Sequence, residues 1–118
     1  MYSYLDTSKV QEFSMDKSQM LTLALTFQDS LEKDLNSLRE ALAHRDPEPV
    51  HRLLHSLKGY GTFLSGPELS QQVIALEAMS RTTALTELTL EIAKVLPSLQ
   101  SLSSEVRHWI DADLKAAT

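Results

Sequence analysis

Apolar residues recur at spacings of three and four along most of the chain, and this is the period of an amphipathic α-helix. The pattern predicts five helices, which are separated by short breaks rich in proline, glycine and polar residues. No stretch alternates convincingly with the period of two that is typical of a strand. We therefore predict an all-α fold, an antiparallel four-helix bundle with an extra short N-terminal helix. The expected helices cover about residues 6–13, 17–44, 48–64, 67–80 and 84–113.

The breaks between the predicted helices carry residues that begin or end helices. Asp16 can cap the second helix and Asp46 the third, where Pro47 suits the first helical position. Gly66, followed by a proline, ends the third helix, and that proline opens the fourth. Pro97 falls inside the last helix and removes one of its backbone hydrogen bonds. Because the apolar period continues across Pro97, we predict one bent helix there and not two.

The third predicted helix has two contrasting faces. Its apolar stripe consists of Val50, Leu53, Leu54, Leu57, Tyr60 and Leu64, and also contains Gly61, which is expected to permit close helix packing. The opposite face is polar, with a short cationic track, and consists of His51, Arg52, His55, Lys58, Gly59 and Thr62. Gly59 is unexpected on that face, because glycine inside a helix costs about 1 kcal/mol relative to alanine. We expect function where a local rule is broken beside a reactive side chain.

His55 has the setting that a phosphoryl-accepting histidine needs. A solvent-facing imidazole is a usable nucleophile when it is neutral, as it often is near neutral pH. Lys58 lies three residues on, so it projects from the same patch of helix surface and can neutralise charge on a phosphoryl group. Gly59, four residues on, leaves space in which a partner can approach the ring. The alternative on these residues alone is an ordinary surface histidine.

A two-histidine metal site is a further alternative on the same face. His51 and His55 lie four residues apart, which is a spacing that metal sites use. Arg52 between them and Lys58 beside them would repel a cation, and the acidic motif His-Glu-x-x-His is absent. We therefore predict no metal site in this chain.

The segment His55-Ser56-Leu57-Lys58-Gly59 resembles the His-x-Leu-Lys-Gly signature of histidine phosphotransfer (HPt) domains. The similarity extends over nearly the whole chain, from Leu5-Asp6 through Leu76-Glu77 to the last helix. One departure concerns the position ten residues after the histidine. Many family members have glycine there, whereas this chain has Ser65 and places glycine at the next position.

The resemblance implies a phosphorelay intermediate of two-component signalling. His55 would accept a phosphoryl group, through Nε2, from an aspartyl phosphate of one response-regulator receiver domain and pass it to the aspartate of another. The receiver would supply Mg²⁺, so the chain itself would bind no cofactor. Glu77 matches a recurrent family position, where a structural role is expected before a chemical one. The supporting roles are phosphoryl charge stabilisation by Lys58, clearance at Gly59, and partner contacts by His51, Arg52 and Thr62.

Composition restricts the class of protein further. At 118 residues the chain is expected to be one domain, residues 1–118, and a net charge of −5 argues against nucleic acid as the main partner. The absence of cysteine excludes disulfides and thiolate metal sites. The sequence shows no signal-peptide pattern and no apolar run near membrane length, so we expect a cytoplasmic protein without direct membrane contact. It also lacks a phosphate-binding loop and a kinase signature, so we expect no ATP-dependent enzyme activity.

Two other functions stay open at this point. The first is a non-catalytic docking module with the same fold. The second is a helical oligomerisation module, since the three-four repeat of the last helix resembles a coiled-coil seam. We expect a monomer, because the other helices supply matching apolar faces. The residues are equally compatible with a free protein and with a module of a hybrid sensor histidine kinase.

Overall fold

The computed structural model describes residues 2–12 and 16–115, and this part of the chain is helical without any strand. The predicted all-α fold is confirmed. A short N-terminal helix precedes four longer ones, and the last of these ends in a π-helical turn at Ile110–Leu114. The α-helices are α1 (Ser8–Gln11), α2 (Lys17–Ala43), α3 (Pro47–Leu64), α4 (Pro67–Met79) and α5 (Leu85–Trp109).

Helices α2 to α5 form the bundle. Helix α3 packs against α2 and α4, and α5 packs against the same two helices on the other side. Short connections join the successive helices, so neighbours along the chain run antiparallel. In the described part of the chain, no helix combines the length and the apolar character that spanning a membrane requires.

The core is built from the apolar stripes that the sequence pattern predicts. In α3, the stripe is buried at Val50, Leu53, Leu54, Leu57 and Leu64. Tyr60 on the same stripe is half-buried, because its hydroxyl reaches the bundle surface and donates a 2.9 Å hydrogen bond to Asp34 Oδ2. The stripe of α5 is also buried inside the chain, at Leu88, Ile92, Val95, Leu99, Leu102, Val106 and Trp109.

Of the two capping aspartates that the sequence predicts, one forms its capping hydrogen bond and the other does not. Asp16 caps α2 through a reciprocal pair of hydrogen bonds with Gln19, which is the capping box. Asp46 stands at the N-cap of α3, but its side chain makes no capping hydrogen bond with any residue that the structure describes, so the prediction of a capping aspartate is wrong there. Pro47 at the first helical position has no N–H to satisfy. Helix α5 runs through Pro97 without interruption, as predicted.

The N-terminal helix is shorter than the predicted span of 6–13. It begins at Ser8, where the carboxylate of Asp6 accepts hydrogen bonds from the backbone N–H and the hydroxyl of Ser8. The end of the predicted span, at Phe13, lies outside the described residues. The segment before α1 is not helical, because its backbone N–H groups bond to Glu105 and to the end of α3 and not within a helical turn.

Helix α5 also ends at a different residue from the one predicted. The α-helical hydrogen bonding of α5 stops at Trp109, and a π-helical turn continues over Ile110–Leu114. The wider turn keeps Ile110 and Leu114 buried at the end of the bundle. The α-helix therefore ends four residues earlier than predicted, although the chain stays helical in a different hydrogen-bonding pattern.

Candidate functional site

Helix α3 presents the polar face that the sequence predicts. The opposite face of the helix is anchored by buried leucines, and this fixes the rotation of α3 about its axis. The side chain of His55 is consequently 65% exposed. Arg52 and Gly59 are exposed as well, whereas His51, Lys58 and Thr62 are half-buried.

A carboxylate from α4 faces His55. Glu77 is 2% exposed, and its Oε1 atom lies 3.3 Å from Nδ1 of the imidazole. Its Oε2 atom lies 3.7 Å from Nζ of Lys58. A buried charge costs free energy unless it is paired, and here two of the pairing groups come from α3. The packing of α3 on α4 thus brings His55, Lys58 and Glu77 into one site.

Arg81 is the third group that contacts this carboxylate. Its guanidinium NH2 lies 2.5 Å from Oε1 of Glu77, one helical turn further along the chain. This hydrogen bond from Arg81 lowers the pKa of Glu77; burial opposes the shift, and the hydrogen bond from His55 adds to it. Glu77 is therefore an ionised acceptor at neutral pH.

An ionised carboxylate accepts hydrogen bonds and donates none, so the proton in the contact with Glu77 belongs to the imidazole. His55 therefore carries a proton on Nδ1. When the ring is neutral, its lone pair is then on Nε2, the nitrogen farther from the helix. The carboxylate thus orients the ring, and in this tautomer Nε2 is the nitrogen with a free lone pair.

His51 makes a similar contact one turn earlier, but with a neutral partner. Its Nδ1 lies 2.6 Å from Oγ of Ser80, and the Ser80 hydroxyl donates to the backbone oxygen of Glu77 at 2.6 Å. Because that proton is already used, Ser80 accepts from Nδ1 of His51. His51 thus ties α3 to the end of α4, directly beside Glu77.

The two glycines of α3 differ in exposure but both have space around them. At exposed Gly59, an added Cβ atom would meet no heavy atom within 4 Å outside its own helical turn, in the described part of the chain. The same holds at Gly61, although this residue is buried. The expectation that Gly61 permits close helix packing is therefore wrong, whereas open space at Gly59 agrees with its predicted clearance.

Ser65 stands where many relatives have glycine, and its geometry explains why serine is accepted. Its φ of −102° lies in the extended region, which any residue adopts. The Ser65 hydroxyl donates to the backbone oxygen of Gly61 at 2.8 Å, at the end of α3. Ser70 lies 2.8 Å from the same hydroxyl and completes a buried polar pair. The side chain thus adds a second hydrogen bond to a carbonyl that already accepts from the Ser65 backbone N–H at 3.0 Å.

Thr62, two turns after His55, is half-buried and lies next to the N-terminal segment. Its hydroxyl donates to the backbone oxygen of Lys58 at 2.6 Å, and its own carbonyl accepts from Nζ of Lys9 at 2.6 Å. Helix α1 therefore borders the site face at this end. Among the described residues, no group of three or more metal-ligating side chains is placed to hold an ion.

Arg81 and Ser80 are site residues that the sequence analysis missed. The spacing of Glu77 and Arg81, four residues apart, is a local signal of an ion pair on a helix and could have revealed it. The contacts of Glu77 with His55 and of Ser80 with His51 join residues on different helices, so they depend on tertiary packing.

The lowered pKa of Glu77 predicts a specific loss of stability in acid. A carboxyl group whose pKa is lower in the folded state stabilises that state above its unfolded value, about 4.5, and loses this contribution as the pH falls through the folded value. We expect the difference in unfolding free energy between wild type and Glu77→Gln to be largest at pH 7 and to shrink below about pH 4.5. Urea unfolding of both proteins at several pH values measures this difference. Asp6 and Glu32, whose pKa values are also lowered, are present in both proteins, so their contributions to the pH dependence of stability cancel in the difference. A difference that stays constant down to pH 3 would contradict this account of Glu77.

Comparison with known proteins agrees with the geometry. The family model for the Hpt domain matches residues 22–112 of the 118. Neither the search of curated proteins nor the search of solved structures found a significant match. The matched segment contains His55, Lys58, Gly59 and Glu77, and it begins after α1. This chain belongs to the Hpt domain family, whose members carry out histidine phosphotransfer in two-component signalling and interact there with receiver domains and kinases.

Proposed function

We propose that His55 is the phosphoacceptor of this chain. It would take a phosphoryl group from an aspartyl phosphate of one receiver domain and pass it to the aspartate of a second. The observation that carries this proposal is the contact between buried, ionised Glu77 and Nδ1 of an otherwise exposed imidazole. Other histidines of the chain, such as His44 and His51, bond through Nδ1 to a backbone oxygen or a hydroxyl.

The transfer step follows from the tautomer. The lone pair of Nε2 attacks phosphorus, the bond between phosphorus and the aspartyl oxygen breaks, and the receiver carboxylate leaves with its electron pair. The ring gains positive charge as the nitrogen–phosphorus bond forms, and the proton stays on Nδ1. Glu77 stabilises this charge, as the carboxylate of a catalytic triad stabilises its imidazolium. Transfer to the second receiver reverses the step.

Lys58 is proposed to stabilise the phosphoryl group. Its Nζ lies 3.7 Å from Glu77 and its side chain is 40% exposed, so the ammonium group is held next to the ring and can still reach outward. A cation placed there offsets negative charge on the phosphoryl oxygens. The receiver would supply Mg²⁺, so this chain would bind no cofactor and would not use ATP itself.

The proposed partners are receiver domains, either free or joined to a hybrid sensor histidine kinase, and we place the reaction in the cytoplasm. The exposed polar face of α3 would form the contact, with Arg52, His51 and Thr62 around His55. We propose a monomer, because the α5 stripe that resembles a coiled-coil seam is buried against the chain's own helices. That burial weighs against the oligomerisation module.

Incubation with a phosphorylated receiver domain and Mg²⁺ tests the proposal. Wild type should gain acid-labile, alkali-stable phosphate, and His55→Gln should gain none, because glutamine has no nucleophilic nitrogen. His44→Gln is the matched control: it removes an exposed histidine at the end of α2, which has no assigned role in the site, and should keep the label. Phosphate on His55→Gln would show that another histidine is the phosphoacceptor. If no receiver of a panel transferred phosphate to the wild-type protein, this would favour the docking module.

The glycines of α3 offer a second prediction. Alanine at either position fits without a clash and should stabilise the folded chain by up to about 1 kcal/mol, from helix propensity. Gly59→Ala should nevertheless slow transfer from a receiver, because its methyl group would project where the partner approaches the ring. Gly61→Ala, on the buried side, should transfer at the wild-type rate. Thermal unfolding and single-turnover transfer measure the two effects, and equal transfer rates for the two variants would contradict the clearance role of Gly59.

A further inference from the structure

The carboxylate of Glu77 is shared unequally between two donors. Oε1 of Glu77 lies 2.5 Å from NH2 of Arg81 and 3.3 Å from Nδ1 of His55. The shorter contact is a charge-assisted hydrogen bond between a guanidinium and a carboxylate, and these are among the strongest that side chains make. The hydrogen bond from Nδ1 of His55 to Oε1 of Glu77 is therefore weaker than the one from Arg81.

This sharing affects the reactive nitrogen. A hydrogen bond from Nδ1–H to a carboxylate makes the other ring nitrogen more electron-rich and stabilises the positive ring that forms on attack. A guanidinium on the same oxygen reduces the negative charge that this oxygen offers to the imidazole. Arg81 thus weakens the influence of Glu77 on Nε2 of His55.

We propose, on the basis of the phosphoacceptor role assigned to His55, that Arg81 is a positioning residue that restrains this nucleophile through their shared oxygen on Glu77. Its position suits such a role. Arg81 follows the end of α4, and its side chain is 57% exposed and lies outside the core. Lys58 stays next to Glu77 when Arg81 is replaced, so the buried carboxylate keeps a cationic neighbour and the variant can fold.

Phosphorylation by phosphoramidate tests the restraint without a partner protein. The P–N bond of this small donor breaks as the bond from Nε2 to phosphorus forms, and ammonia leaves. At pH 8, where an imidazole is ordinarily neutral, the limiting rate of Arg81→Gln should exceed that of wild type on the order of threefold, which is the size of one improved hydrogen bond. The half-saturating phosphoramidate concentration should stay unchanged, because Arg81 is not assigned a contact with the donor.

A double-mutant cycle separates this indirect role from a direct one. In a Glu77→Gln background, Arg81→Gln should give no acceleration, because the shared carboxylate is gone. Arg81→Lys should fall between wild type and Arg81→Gln, since lysine keeps the charge but loses the planar donor group. Arg39→Gln removes another exposed arginine, on α2, that bonds Asn36, and it should react like wild type.

Two results would refute the proposal that Arg81 restrains His55 through Glu77. One is a limiting rate for Arg81→Gln that equals or falls below that of wild type. The other is the same change from Arg81→Gln with and without Glu77, which would show that Arg81 acts on the phosphodonor directly. In both cases His55 would still become phosphorylated and the proposed function would stand. Absence of phosphate on His55 in wild type, in contrast, would refute the proposed function itself.

Discussion

A negative charge buried between two helices organises this site. Glu77 is nearly inaccessible to solvent, and a carboxylate in that position is tolerated because Arg81, His55 and Lys58 surround it. Two of these groups come from α3 and one from the end of α4, so the ion cluster and the packing of α3 on α4 depend on each other. The hydrogen bond of His51 to Ser80 reinforces the same helix pair. The proposed function of His55 therefore depends on a contact that also holds these two helices together.

The face around His55 combines a rigid base with an open surface. Buried leucines on the opposite side of α3 fix the orientation of the helix, and Glu77 fixes the ring. Gly59 has no side chain, so the helix surface beside the ring stays unobstructed, although glycine is a poor helix former. Such a residue lowers stability and is retained where activity benefits, which is a common compromise at functional sites. A module that presents one nucleophile to several partners needs this combination of a fixed group and an unobstructed approach.

The sequence predicts the helices well because their signals are local. The apolar period, Asp16 as a cap and the proline after Gly66 each act within a few residues. The N-terminal segment is different, since its backbone bonds to Glu105 about a hundred positions away and this shortens α1. The π-helical end of α5 likewise follows from burial of Ile110 and Leu114 at the end of the bundle.

The site is predictable in part for the same reason. His55, Lys58 and Gly59 lie on one turn of one helix, so their neighbourhood can be worked out from spacing. Glu77 is 22 residues from His55 on another helix, so its contact requires the tertiary packing. The role expected for Gly61 failed because helix periodicity reports which face is buried and not how closely the neighbouring helix approaches.

The proposed chemistry depends on the position of one proton: Glu77 keeps it on Nδ1 of His55, which leaves Nε2 as the proposed nucleophile. Nitrogen-15 NMR of the histidine rings at pH 8 tests it most directly, because the chemical shifts of the two ring nitrogens identify which one carries the proton. We expect His55 in the wild-type protein to be mainly the Nδ1–H tautomer. A neutral His55 that is mainly protonated on Nε2 would contradict it.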